Sequence, residues 1–433
     1  MAQAAPDAAA GQGAVAEASL RARQAQLLAA MLADPADLDI AFDYATVSTR
    51  LGDYEAAIGT LERMLIYAPG LPRIQLELGV LYYRLGSSEV ARAYFEQALA
   101  TPDVPPEVAA RVETFLAAID TQEARGKLSA TLVTGLRYQS NANAGPGSRQ
   151  VTLNGLPFLL DDTAIGQPDW NAFVAGNVHA AYDLGTQGDL LEADLLFYGG
   201  RYLDTQRLDT GLAELTLGPS FNMGRFGIDD AQLGVYAILG GVRLNDGNYS
   251  GALGAGARIV HQPSPLASVN AKIEYRHRWF RDTATYPTVS NRNGYQILGQ
   301  LTYSHRIDAN WVVRALTLGD FEQAAANFEQ SVEGGAGLGA TYRFASPIAG
   351  LEIPWALDAD AGYIRREYRA PDPAVDPATA QHDNEFWLRG GLTVPLRADL
   401  AAAITAEFRR LQSNYATRDF SNASVTVSLI MTF

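Results

Sequence analysis

Five histidines, His179, His261, His277, His305 and His382, are the side chains best suited to moving a proton near neutral pH. None stands in an HExxH or GxSxG setting, which would make it a metal ligand or the base beside a nucleophile. With no cysteine among 433 residues, thiolate metal sites, disulfide scaffolds and thiol nucleophiles are excluded together. The acid pairs Asp161–Asp162 and Asp358/Asp360 could ligate Ca²⁺ with further oxygens. Solvated acids on a loop or an inner wall are the simpler account of them. The glycines of GALGAGARIV (Gly251, Gly254, Gly256) and of GGAGLGA resemble phosphate loops only superficially. They lack the strand–loop–helix setting and the following lysine, and read as strands with small side chains. No enzymatic activity, metal or cofactor is expected.

The residues that could act together are charges recurring at every second position. In SVNAKIEYRHRW, Val269, Ala271, Ile273, Tyr275 and Trp279 fall on one face, and Lys272, Glu274, Arg276 and Arg278 on the other. His277 shares the apolar side. The same alternation puts Arg137, Glu192, Asp194, Glu214, Arg306, Glu333, Asp358, Asp360, Arg366, Glu385, Arg389, Glu407 and Arg409 on the polar face of their own segments. Arg or Lys facing lipid near the midplane would cost ~2–4 kcal/mol each, so this face must be a lumen. There the charges can pair across strands or line a conduit, and pairing is the simpler role for any single one.

The elements that would carry these residues begin at Lys127, where a period of two replaces a helical period. Fourteen such segments follow, from 127–139 through 266–280 to 419–433. Short turns (DLGTQGD, HQPSP, HRIDANW, PLRAD) alternate with long polar loops at 140–170, 280–292 and 367–382, the asymmetry of an outer-membrane barrel. Closure also removes the exposed edges that an open sheet of this size would leave. Tyr138, Tyr182, Tyr202, Tyr249, Trp279, Tyr295, Trp311, Tyr342, Trp355 and Tyr363 fit interfacial girdles. In the final NASVTVSLIMTF, Leu429, Met431 and Phe433 alternate outward, and this resembles the insertion signal read by the outer-membrane barrel-assembly machinery. The mean hydropathy of −0.06 and the lack of any ~20-residue apolar run exclude a helical membrane protein but not a barrel. A net charge of −15 argues against a nucleic-acid partner.

Residues 20–125 read as helix and repeat themselves: Gly52 and Gly86, Ala57 and Ala91, and Leu65 and Leu99 each lie 34 residues apart. The pattern resembles tetratricopeptide repeats, with a degenerate half-unit before and a closing helix, PPEVAARVETFLAAIDTQEAR, after. In such arrays the first helix of each unit lines a concave surface. That puts Asp39, Phe42, Thr46, Thr49, Arg73, Leu76, Val80 and Tyr83 in a candidate client groove, although the stack could equally pack on the rest of the chain. Residues 1–19 are Ala/Gly/Gln-rich, are expected to be flexible, and show no basic-then-apolar signal segment.

The fold class expected is thus a short α-helical repeat array over 20–125, followed over 126–433 by a transmembrane antiparallel β-barrel of about 14 strands. This arrangement, with the stretch Leu116 to Ile119 and then Tyr138, Ser140, Asn141 and Asn143, resembles the surface lipoprotein assembly modulator family. The resemblance implies a barrel in the outer membrane of a Gram-negative bacterium, with its repeats in the periplasm; a monomer is expected. It also implies partners: outer-membrane lipid, and a client that is a surface lipoprotein or secreted protein. Asn141, Asn143 and Gly145-Pro146 are expected to end the pairing of the first strand and so to ease a gate at the barrel seam. The alternative is an exopolysaccharide export porin or a diffusion porin with a periplasmic repeat domain.

Overall fold

The computed structural model describes residues 6–245, 247–348, 350 and 353–433, and the chain divides into two compact units after Ala124. The first unit is six helices: α1 (Pro6–Ala33), α2 (Leu38–Leu51), α3 (Tyr54–Tyr67), α4 (Pro72–Arg84), α5 (Ser88–Ala100) and α6 (Pro106–Glu123). Helix α1 begins well ahead of Leu20, within the segment expected to be flexible, because its alanines carry strong helix propensity. Asp37 caps α2 by accepting from the N–H groups of Asp39 and Ile40 at 3.0 Å. The repeat-related Gly52 and Gly86 both adopt left-handed φ, near 78° and 77°, and turn the chain between paired helices. The repeat also fixes the crossings. Ala57 and Ala91 are fully buried, and a Cβ on Gly79 would stand 2.4 Å from the Phe95 ring.

The second unit is a closed antiparallel barrel of fourteen strands. Strand β1 (Gly126–Gln139) is followed by a small hairpin, β2 (Gln150–Leu153) and β3 (Leu156–Leu159), within the first long loop. The wall continues through β4 (Asp169–Asp183), β5 (Leu190–Tyr202), β6 (Thr210–Asn222), β7 (Ala231–Leu244), β8 (Gly247–Ser264) and β9 (Ala267–Phe280). It is completed by β10 (Gly294–Arg306), β11 (Trp311–Ala324), β12 (Ser331–Phe344), β13 (Trp355–Tyr368), β14 (His382–Arg397), β15 (Leu400–Ser413) and β16 (Phe420–Thr432). Each of the fourteen expected strands is present. The hairpin is additional, closed by Asn154 and Gly155 with φ of 51° and 75°, as a two-residue turn matching strand twist requires. Closure is made by β1 against β16, in register from Thr131–Thr432 to Gln139–Ser424. The chain therefore joins β1 at the end that carries the short turns.

Candidate functional site

Contacts that skip strands show which face of the wall is inside. Arg258 on β8 holds Glu192 and Asp194 on β5 at 2.9 and 3.0 Å, and Arg276 on β9 holds Glu214 on β6 at 2.9 Å. Three strand spacings are about 14 Å of wall, so such pairs can form only across its concave side. Register then carries that side around the barrel. Lys272, Glu274, Arg276 and Arg278 share it, as do Arg137, Glu333, Asp358, Asp360, Arg366, Glu385, Arg389, Glu407 and Arg409. Most are consumed in pairs: Arg314 with Asp360 at 2.8 Å, Arg389 with Glu407 at 2.7 Å, Arg366 with Glu333, and Arg409 with Glu385. Tyr236 on β7 donates its hydroxyl to Glu274 on β9 at 2.9 Å. Arg137 donates to Thr426 at 3.2 Å and lies over the Phe173 ring, while Arg306, at the end of β10, makes no ion pair among the described residues.

The opposite face carries the exposed apolar side chains, among them Leu128, Leu253, Ile273, Leu338, Leu388, Val427, Leu429 and Phe433. A band this large is matched only by a membrane, and the barrel is of the outer-membrane type. The aromatic girdle holds for residues such as Tyr138, Trp279 and Trp311 but not for Tyr202. That residue pairs with Asn171 and its hydroxyl accepts from Gln139 at 3.2 Å, inside the barrel, because it shares parity with Glu192 and Asp194. Several inward residues escaped the sequence reading, Arg258, Arg314, Tyr236, His179 and Trp387 among them. His179 sets Nδ1 2.6 Å from Asp194. Trp387 fills the space left by two inward glycines, so that a Cβ on Gly362 would stand 2.5 Å from the indole. Parity with Glu385 and Arg389 was the signal for the tryptophan.

The helical groove is smaller than expected. Leu76 and Val80 are buried, not presented, because α6 lays Val108, Val112 and Ile119 against them and joins Phe115 to the Phe95 ring. Tyr83 meets Phe115 edge-on. Of the expected groove, Asp39 and Arg73 remain exposed and Phe42, Thr46 and Thr49 half-exposed, with the Arg73 guanidinium 5.6 Å from the Phe42 ring centre.

Both acid pairs make contacts within the protein. Asp161 accepts from the N–H and hydroxyl of Thr163, which hold its carboxyl below the usual range, and Asp162 pairs with Arg149 at 2.8 Å. Asp358 accepts from Thr341. Among the described residues no cluster of three or more histidines and acids could hold a metal.

At the long-loop end the loops are hydrogen-bonded into a complete ring. Arg207 donates to Thr163 O at 2.8 Å, Tyr286 to Arg207 O at 3.0 Å, and the N–H of Ala326 to Asn291 O at 2.9 Å. Arg369 N–H donates to Gln330 O at 2.9 Å and Tyr415 to Thr379 O at 2.7 Å. Asn141 closes the ring: its buried amide donates to Gly145 O at 2.8 Å and Ser421 O at 3.2 Å, while its N–H donates to Asn422. Asn143 bonds Ile165 O and Gln167 N–H at 2.8 Å each. The Tyr138–Asn143 motif therefore fastens β1 to β16 at this end instead of loosening it. The asparagine side chains replace the ladder bonds that the turning backbone gives up.

Comparison with known proteins places residues 72–101, which are α4 and α5, under a tetratricopeptide repeat model. Among solved structures, a bacterial polysaccharide outer membrane secretin is similar over 70% of this chain and 98% of its own, at 11% identity and TM-score 0.38. A Pseudomonas aeruginosa FadL homologue is similar over 71% and 90%, at 10% identity and TM-score 0.38. The Yersinia enterocolitica type III secretion chaperone SycD, bound to a peptide of the translocator YopD, is similar over 27% and 90%, at 16% identity and TM-score 0.24. No curated protein sequence matches the chain. These likenesses concern fold; the chain combines repeat helices with a fourteen-stranded outer-membrane-type barrel.

Proposed function

We propose that this protein assists the translocation or surface display of a client, a surface lipoprotein or a secreted protein, across the outer membrane of a Gram-negative bacterium. The repeat unit stands in the periplasm and docks the client through the surface around Asp39, Phe42 and Arg73. The barrel delivers it. The observation that carries this reading is the union, in one chain, of a repeat array with a barrel whose inner wall is polar and whose outer wall is apolar. Repeat arrays are docking surfaces, and a closed barrel offers a wet path where lipid offers none. Expected partners are outer-membrane lipid, the client and the barrel-assembly machinery. No nucleotide enters the account, so client binding and folding outside must draw the process forward.

Deleting residues 1–124 is expected to abolish client display while leaving insertion of the barrel intact; display that survives unchanged overturns the docking role. An exopolysaccharide export porin is the second reading, favoured by the lattice of paired arginines and acids on the inner wall. Planar-bilayer recordings separate the two. Large steady currents favour a porin, and silence or rare gating favours a translocation factor.

A further inference from the structure

Many polar side chains on the inner wall are engaged with one another. Gln296 binds Asp320, Thr341 binds Asp358 and Arg314, Ser220 binds Gln232, and Thr426 binds Arg137. One block differs. On β9 and β10, Ser268 faces Ser304 and Asn270 faces Thr302 in register, with Gln300 next along, opposite Lys272. Among the described residues, none of Ser268, Asn270, Gln300, Thr302 and Ser304 has a side-chain hydrogen bond within the protein. Asn270 is exposed and the other four half-buried. Asn270, Gln300 and Thr302, with Gln232 and Ser220, line a cavity of about 440 Å³, a volume typical of ligand sites.

The charges at the margin of this cavity are already satisfied, Arg258 by Glu192 at 2.9 Å and Lys272 by Glu274 at 3.3 Å. What it offers is therefore neutral: amides and hydroxyls with unfilled capacity. A side-chain amide has the same donor and acceptor as a peptide bond. Inward residues of one strand recur every ~6.7 Å, which is also the interval at which an extended polypeptide turns its N–H and C=O groups to one side. Gln300, Thr302 and Ser304 form one such column and Ser268 and Asn270 another. No aromatic ring is among the lining residues, so a sugar would find no surface to stack on.

The block lies where β9 begins and β10 ends, at the short-turn end at which the chain joins β1. We propose that it is a binding station for the backbone of an unfolded polypeptide, held by side-chain-to-peptide hydrogen bonds irrespective of its sequence. Its biological meaning rests on the client-export reading, but its binding chemistry is tested apart from it.

Because the chain has no cysteine, Asn270→Cys introduces a unique thiol. Thr405→Cys, on the inner face of β15, is the control. The full chain in lipid nanodiscs is mixed with a short unstructured peptide bearing one activated disulfide. Trapping at position 270 is expected to run roughly tenfold faster than at position 405, since a bound peptide raises the local concentration. Equal rates overturn the proposal. Exchanging Gln300→Leu and Thr302→Val in the Asn270→Cys background should remove the rate difference; an undiminished difference also overturns it. Retained heat-modifiable gel mobility of each variant certifies the folded barrel. If dextran, but not excess untagged peptide, protects position 270, the site takes saccharide and the proposal falls. Client display in cells is not read by this assay, so failure here leaves the proposed function standing, and the reverse holds.

Discussion

Arg258 on β8 reaches back over two intervening strands to Glu192 on β5, with Nη2 2.9 Å from the carboxylate. Its Nη1 holds Asp194 at 3.0 Å, and Asp194 in turn stands 2.6 Å from His179 on β4. One cation thus ties a whole sector of the wall together. Arg258→Leu leaves Glu192 and Asp194, neighbours on one face of β5, with His179 but without the arginine that joins them to β8, at an expected cost of about 1–3 kcal/mol. The urea midpoint of the barrel in micelles should fall accordingly; an unshifted midpoint would show the pairs to be ornamental.

A second prediction concerns alkali. Tyr82 and Tyr94 stack 5.6 Å apart and both donate to one oxygen of Glu62, at 2.9 and 3.2 Å. Burial, then the charge of Glu62 and the hydrogen bond to it, pushes the Tyr94 hydroxyl up to about 12; burial, the hydrogen bond to Glu62 and its charge raise Tyr82 as well. A raised folded value means that the native state holds these protons more tightly than the unfolded chain does. The resulting stability is complete below the ordinary tyrosine value near 10 and is lost as pH climbs from there toward 12. Helical circular dichroism should melt earlier across that window. Tyr94→Phe should flatten the dependence, and an unaltered slope would count against the coupling.

Gly362 and Trp387 test the packing of the inner wall. A methyl at position 362 would stand 2.5 Å from the indole, so Gly362→Ala is expected to destabilise the barrel by about 1–3 kcal/mol through overpacking. Adding Trp387→Leu should recover most of that loss. Strict additivity in the double-mutant cycle would mean that the indole does not occupy this space.

Asn141→Ala removes a buried amide that donates to Gly145 and Ser421 and accepts from the Gly145 N–H at 3.0 Å. About 1–3 kcal/mol of local stability is at stake, since Gly145, whose carbonyl and N–H both lose their partner, is buried. Limited proteolysis should then cut the 140–168 loop first. Resistance equal to that of the parent would remove Asn141 from its role in joining β1 to β16.

The barrel was legible because its signal is local and repeated. A strand alternates whatever its neighbours do, and the cost of a charge in lipid fixes which face is which. The same parity, anchored on Glu192 and Glu385, also assigns Tyr202 and Trp387 to the interior; reading them as isolated aromatics lost that information. The groove was less legible for the opposite reason. Periodicity shows that Leu76 and Val80 face one way along α4, but not that Val108, Val112 and Ile119 of a later helix cover them. The β2–β3 hairpin was too short for its alternation to stand out, although Asn154-Gly155 marks its turn. The unengaged block around Asn270 and Gln300 is invisible in sequence altogether. A polar residue whose partner is absent looks the same there as one whose partner is present.

The hydrogen-bonded loops at the long-loop end make a hoop. Load on any one of them passes to its neighbours around the circumference, so the mouth cannot widen by one loop swinging aside. Opening one loop therefore costs the bonds it shares with the next as well as its own.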